Sequence, residues 1–86
     1  MKKDPVLTTE YIRIHIQELR KNKKMSQEYM AYCLGISQKA YSKIESGKTQ
    51  LSVERLIQIA RLLEVNPSQL LFIKNKNTVE NSSHFR

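Results

Sequence analysis

The sequence predicts an all-α fold, a compact bundle of five short helices followed by a polar tail. Three observations predict it. Apolar residues recur at spacings of three and four along several segments, which is the repeat of one helical face. Serine or threonine, the residue types that cap helix N-termini, precedes four of these segments, and glycine, which tolerates the left-handed backbone that stops a helix, follows two. No stretch alternates apolar and polar residues as a half-buried strand would. With 86 residues the chain suffices for one core and not for two.

The first helix is expected from Thr9 to Lys24, with Thr8 or Thr9 as its cap and Ile12, Ile16 and Leu19 as its inward row. Tyr11 and Ile14 fall off that row, at its edge or on a contact surface. The closing run RKNKK puts cations where the negative end of the helix dipole favours them. Ser26 then caps QEYMAYCL, a helix of about two turns with Met30, Ala31 and Leu34 inward and Gly35 as its stop. Ser37 caps QKAYSKIES, in which Ala40, Tyr41 and Ile44 face inward and Gln38, Lys39, Ser42 and Lys43 face outward, until Gly47 closes it. Ser52 caps VERLIQIARLLEV, with Val53, Leu56, Ile59, Ala60 and Leu63 as its buried row. Asn66-Pro67 opens the last helix, because proline suits the first helical position, and Leu70 and Leu71 complete the core. The organisation is thus a flexible N-terminus over 1–8, a helical domain over 9–73 and a flexible polar tail over 74–86, KNKNTVENSSHFR.

The balance of 15 Lys+Arg against 8 Asp+Glu gives +7 and favours a polyanionic partner, nucleic acid first. The charge is uneven. Residues 20–49 hold seven bases (Arg20, Lys21, Lys23, Lys24, Lys39, Lys43, Lys48) against two acids (Glu28, Glu45). A single cysteine, Cys33, allows no intramolecular disulfide and no cysteine-based zinc site, and it reads as a small packed residue. His15 and His84 are the only histidines, with no carboxylate cluster or glycine-rich phosphate loop beside them, so neither catalysis nor a cofactor or metal is expected. The opening MKK is followed by Asp4, Pro5 and TTEY rather than an apolar segment, and no apolar run approaches the ~20 residues that cross a bilayer. A cytoplasmic chain that neither leaves the cell nor spans a membrane is expected.

Two short helices joined by a tight glycine-containing turn match a helix-turn-helix, whose second helix lies in the major groove of DNA while the first crosses the backbone. Ala31, Ile36, Tyr41 and Ile44 would lock the two at a fixed angle, leaving Gln38, Lys39, Ser42 and Lys43 to meet base edges. Glutamine can bond adenine N6 and N7 together, and lysine can donate to guanine O6 and N7.

These residues also resemble a family. From about Tyr11 to Leu71, the segments ELRKNKKMSQEYMAYCLGISQKAYSKIESGKT and LSVERLIQIARLLEVNPSQLL resemble the DNA-binding domain of phage repressors and Cro, the XRE family. Leu19-Arg20, Ser26-Gln27, Ala31, Leu34-Gly35, Ser37, Ile44-Glu45 and Gly47-Lys48 fall at that family's spacing. The resemblance implies a five-helix bundle of the lambda-repressor type that binds double-stranded operator DNA as a homodimer, most often to repress transcription. It makes Gln38, Lys39 and Lys43 base-reading positions, with Ser42 beside them. It places Gln27, Ser37, Lys48 and Thr49 against phosphates, and pairs Arg20 with Glu45 so that the arginine is directed towards the DNA backbone. Three departures stand out. Tyr41 replaces a usually aliphatic residue, implying a half-buried ring whose hydroxyl reaches solvent or a phosphate. Tyr29 and Tyr32 stand where charged residues are common and are expected to cover core edges, and Glu64 stands where glycine is common. Dimerisation would use the last helix, exposed apolar residues such as Leu62 or Phe72, or the DNA itself. The same fold also serves in antitoxins, for which the tail or the tyrosines would bind a toxin partner.

Overall fold

Four of the five helices begin and end by the same two devices. The computed structural model describes residues 7–71. In it α1 (Thr9–Asn22), α2 (Gln27–Leu34), α3 (Gln38–Ser46) and α4 (Val53–Leu62) precede a short α5 (Pro67–Leu71). Thr8, Ser26, Ser37 and Ser52 stand in extended backbone before the first four, and their hydroxyl oxygens accept the backbone N–H groups of Tyr11, Tyr29, Ala40 and Arg55. Each cap satisfies a donor that the first helical turn leaves unpaired, and its loss costs about 1 kcal/mol.

The ends are equally regular. One left-handed residue follows each helix: Lys24 (φ 59°), Gly35 (φ 74°), Gly47 (φ 88°) and Glu64 (φ 60°). The next residue then returns its N–H to a carbonyl of the last turn: Met25 to Arg20, Ile36 to Ala31, Lys48 to Lys43 and Val65 to Ala60. Met25, Ile36 and Val65 are thereby turned onto the core. For α5, Asn66 and Gln69 cap each other's segment: Gln69 Oε1 accepts the Asn66 N–H at 2.8 Å and Asn66 Oδ1 accepts the Ser68 N–H at 2.9 Å.

Packing closes a ring in which α1 lies on α3, α3 on α2, α2 on α4, α4 on α5 and α5 on α1. Its centre holds Ile12, Ile16, Met30, Ala31, Tyr41, Ile44, Leu56, Ile59, Ala60, Leu63 and Leu70. Each large apolar side chain among them contributes about 1.5–3 kcal/mol by leaving water. His15 ties α1 to α5 by donating from Nδ1 to the Leu70 carbonyl at 3.2 Å, with its ring 4.6 Å from that of Tyr11.

Several expectations are corrected. The first and fourth helices stop at Asn22 and Leu62, short of 24 and 65, because Lys24 and Glu64 adopt the left-handed turn without being glycine. Val53 is 73 % exposed, since it lies roughly 70° round α4 from the centre of the buried row. Leu71 is exposed beside the buried Leu70, Leu62 is only half-buried and packs on the core, and Cys33 is exposed. Tyr29 is half-exposed and Tyr32 is 82 % exposed, so Tyr32 covers no core edge. The expected tail (74–86), the N-terminus before residue 7 and Phe72 lie outside the described residues. Among the described residues no helix is long and apolar enough to cross a membrane.

Candidate nucleic-acid interface

The second and third helices are joined by the turn Gly35–Ile36–Ser37, and Ile36 plugs into the core beneath it. That fixes which side of α3 faces out. Gln38, Lys39 and Lys43 are exposed and Ser42 is half-buried, and among the described residues none of these four side chains forms a hydrogen bond. They are therefore free for a ligand. Ser37 is exposed at the start of the helix, its oxygen accepting from Ala40 and its hydroxyl proton left to donate. Beyond Gly47 the N–H groups of both Lys48 and Thr49 donate to the Lys43 carbonyl, at 2.9 and 3.1 Å. The loop carrying those two exposed side chains is thus fastened to α3 itself.

Behind the exposed row sits Glu45, 3 % exposed. Its Oε2 accepts from Arg20 Nε at 2.7 Å and from the Tyr41 hydroxyl at 2.6 Å. Its Oε1 accepts from Arg20 Nη2 at 3.2 Å and from Gln27 Nε2 at 3.0 Å. Arg20 Nη1 donates in addition to the Met25 carbonyl at 2.8 Å, and Gln17 Nε2 donates to the Glu45 carbonyl at 3.1 Å. One carboxylate therefore joins α1, α2 and α3, and with Arg20 it fixes the turn between the first two.

Burial alone would raise the Glu45 carboxyl, but hydrogen bonds from Arg20, Tyr41 and Gln27 outweigh it and hold it below its ordinary 4.5. The bond to Glu45 likewise holds the Arg20 guanidinium above its ordinary value. Burial, and then the bond to Glu45, push the Tyr41 phenol well above 10.0. Tyr41 is 0 % exposed, so its hydroxyl reaches neither solvent nor a phosphate. The acceptor it needs lies one turn along its own helix. Arg20 is 8 % exposed with all three nitrogens bonded inside the protein, and Gln27 is half-buried with its amide nitrogen on Glu45.

On the other side of α3, a cleft of ≈ 440 Å³ separates the helix from the start of α4. Lys39, Lys43 and Arg55 line it, with Ser37, Thr49, Gln50 and Ser52 among the polar groups between them.

Residues 16–70 match the family described as helix-turn-helix. The chain belongs to the XRE-type helix-turn-helix family. It is 37 % identical over 57 residues to the uncharacterized HTH-type transcriptional regulator YqaE of Bacillus subtilis (strain 168), covering 66 % of this chain and 49 % of that protein. To the HTH-type transcriptional regulator AnsR of the same organism it is 39 % identical over 56 residues, covering 65 % and 48 %. The chain thus spans about half the length of each relative. Among solved structures, the restriction-modification controller protein C.AhdI from Aeromonas hydrophila superposes with a TM-score of 0.66 at 26 % identity, covering 72 % of this chain and 94 % of that one.

Within the helix-turn-helix frame, the sequence reading missed four contributors. The bonding of Tyr41 to Glu45 had a signal, since the two stand four residues apart on one helix. Gln17 and the cleft residues Gln50 and Arg55 had none, because their placement depends on how distant helices meet.

Proposed function

We propose that this chain is a DNA-binding transcriptional regulator that lays α3 in the major groove of an operator. The observation that carries the reading is the row Gln38, Lys39, Ser42 and Lys43, unbonded among the described residues and mounted on a helix fixed from behind by Glu45. Pre-set geometry of this kind lets side chains meet base edges without first being ordered. Gln38 would read adenine, Lys39 and Lys43 guanine, with Ser42 beside them. Ser37, Lys48, Thr49 and the second amide N–H of Gln27, whose first is on Glu45, would donate to phosphates and fix register. Arg20 contributes by holding Glu45 and the turn at Met25 rather than by touching DNA.

As a homodimer the protein would meet two half-sites about 34 Å apart on one face of the duplex. It would repress where that site overlaps a promoter, and its place of work would be the chromosome in the cytoplasm. The test is selection of sites from a random duplex pool, followed by titration of the winning duplex against scrambled DNA. A palindromic winner bound at least about 10³-fold above scrambled DNA is expected. Weak, uniform, salt-sensitive binding would sink the reading and turn attention to a toxin-like protein partner, with the exposed Tyr29 and Tyr32 on α2 as the surface to examine.

A further inference from the structure

The outward face of α3 consists of two strips. Gln38 and Ser42 stand on one, while Lys39 and Lys43 turn towards the start of α4 across the ≈ 440 Å³ cleft, whose far wall is Arg55. We propose that this cleft seats a backbone phosphate of the bound duplex, with Arg55 as its principal cation. The inference rests on the operator-reading role proposed above and extends that site to a residue on a different helix.

Charge comes first. Among the described residues three cations and no carboxylate line the cleft, so a phosphodiester entering it meets attraction from both walls. The state of Arg55 points the same way. Its side chain is half-buried, Nη1 donates to Gln58 Oε1 at 2.9 Å, and its backbone N–H is fixed by Ser52 at 3.0 Å. Among the described residues no carboxylate lies within ion-pair distance of it, whereas the chain's buried arginine, Arg20, is fully paired with Glu45. Arg55 is therefore an anchored cation with its charge unspent. A guanidinium held in this way loses less rotamer freedom on binding, and its remaining N–H groups suit the forked geometry of a phosphate. The rest of the wall adds to this, since Ser37 and Thr49 supply hydroxyl donors on the α3 side. A phosphate gripped between α3 and α4 would set how deeply α3 enters the groove, which neither helix could do alone.

The test uses the full chain and a duplex selected from a random pool. Wild type, Arg55→Gln, Arg55→Lys and Gln38→Ala are titrated between 50 and 200 mM salt, and the duplex is scanned with single neutral methylphosphonates. Losing one phosphate contact should make the fall in affinity over that salt interval about 3.5-fold smaller for Arg55→Gln, since one fewer counterion is displaced. It should weaken all duplexes alike, Arg55→Lys should keep the wild-type salt dependence, and one methylphosphonate position should weaken wild type but not Arg55→Gln. An unchanged salt dependence in Arg55→Gln, equal losses in Arg55→Lys, or additive losses at every methylphosphonate position would overturn the inference. So would inorganic phosphate that binds wild type, fails to bind Arg55→Gln and leaves DNA binding undisturbed, since the cleft would then serve free anions. Gln38→Ala separates the two levels of argument. If it still shifts base preference while Arg55→Gln does nothing, the operator reading stands without the cleft, and if neither substitution matters, the operator reading falls first.

Discussion

Glu45 carries four donors on two buried oxygens, so substitutions around it should be felt in stability before they are felt in binding. Tyr41→Phe removes one charge-assisted bond while leaving the ring's packing. It is expected to cost about 1.5 kcal/mol, or about 8 °C in the melting midpoint of a domain this size, as thermal melts would show. Glu45→Gln leaves the Arg20 charge buried without its partner, for a loss of about 3 kcal/mol at neutral pH. Acid should distinguish it further. Folding lowers the Glu45 value below 4.5, so the carboxylate's contribution is complete above pH 4.5 and disappears as pH falls through the depressed folded value. Wild type should therefore lose stability over that acid range more steeply than Glu45→Gln. Tyr41 runs the other way: its folded value is raised, so stability falls as pH climbs past 10.0, and Tyr41→Phe should be spared that loss. The joining of Arg20 to Glu45 was legible through the family resemblance, while the charge pattern said only that Glu45, one of two acids in the most basic stretch, invites a cationic partner. The role of Tyr41 was signalled only by its four-residue spacing from Glu45, because an inward position in a short helix says that a ring is buried without saying where its hydroxyl ends.

Helix beginnings were readable in the sequence and helix ends only half so. Serine and threonine caps announce themselves by residue type: Ser26, Ser37 and Ser52 were located outright, and the first cap was narrowed to Thr8 or Thr9, of which Thr8 is the one. Gly35 and Gly47 did the same for two stops, whereas Lys24 and Glu64 hide theirs, because nothing in a lysine or glutamate side chain declares positive φ. A non-glycine residue held there costs about 1 kcal/mol. Glu64→Gly is accordingly expected to raise the melting midpoint modestly, by about 0.5–1 kcal/mol of stability. Gly47→Ala should go the opposite way, by about 1–2 kcal/mol from backbone strain, and its new Cβ would lie 2.6 Å from Arg13 Nη2, displacing that side chain. Paired chemical denaturation curves for the two variants would check both signs. A rise for Gly47→Ala would mean that α3 does not end on a left-handed Gly47.

At the scale of the molecule, the ring of packed helices separates what folds the chain from what would meet DNA. The apolar rows that close the ring were legible from their period, with errors at Val53 and Leu71 where a terminal turn outruns its neighbours. The cleft by Arg55 was illegible, being made by two helices whose mutual placement no local pattern encodes. Alanine substitutions at Gln38, Lys39 or Lys43 should leave stability within about 0.5 kcal/mol of wild type while changing site preference, a split that melting and site selection measured side by side would reveal. A large stability loss at any of the three would mean the outward row is tied into the fold after all.

That division has a consequence for how such a chain can change over generations. Because the α3 side chains that would meet bases form no hydrogen bonds among the described residues, a few codon changes there need not pass through a poorly folded ancestor. A duplicated copy could acquire a new target almost as freely as a surface loop drifts. The restraint on its divergence would then lie outside the protein, in the promoters that must keep pace with it.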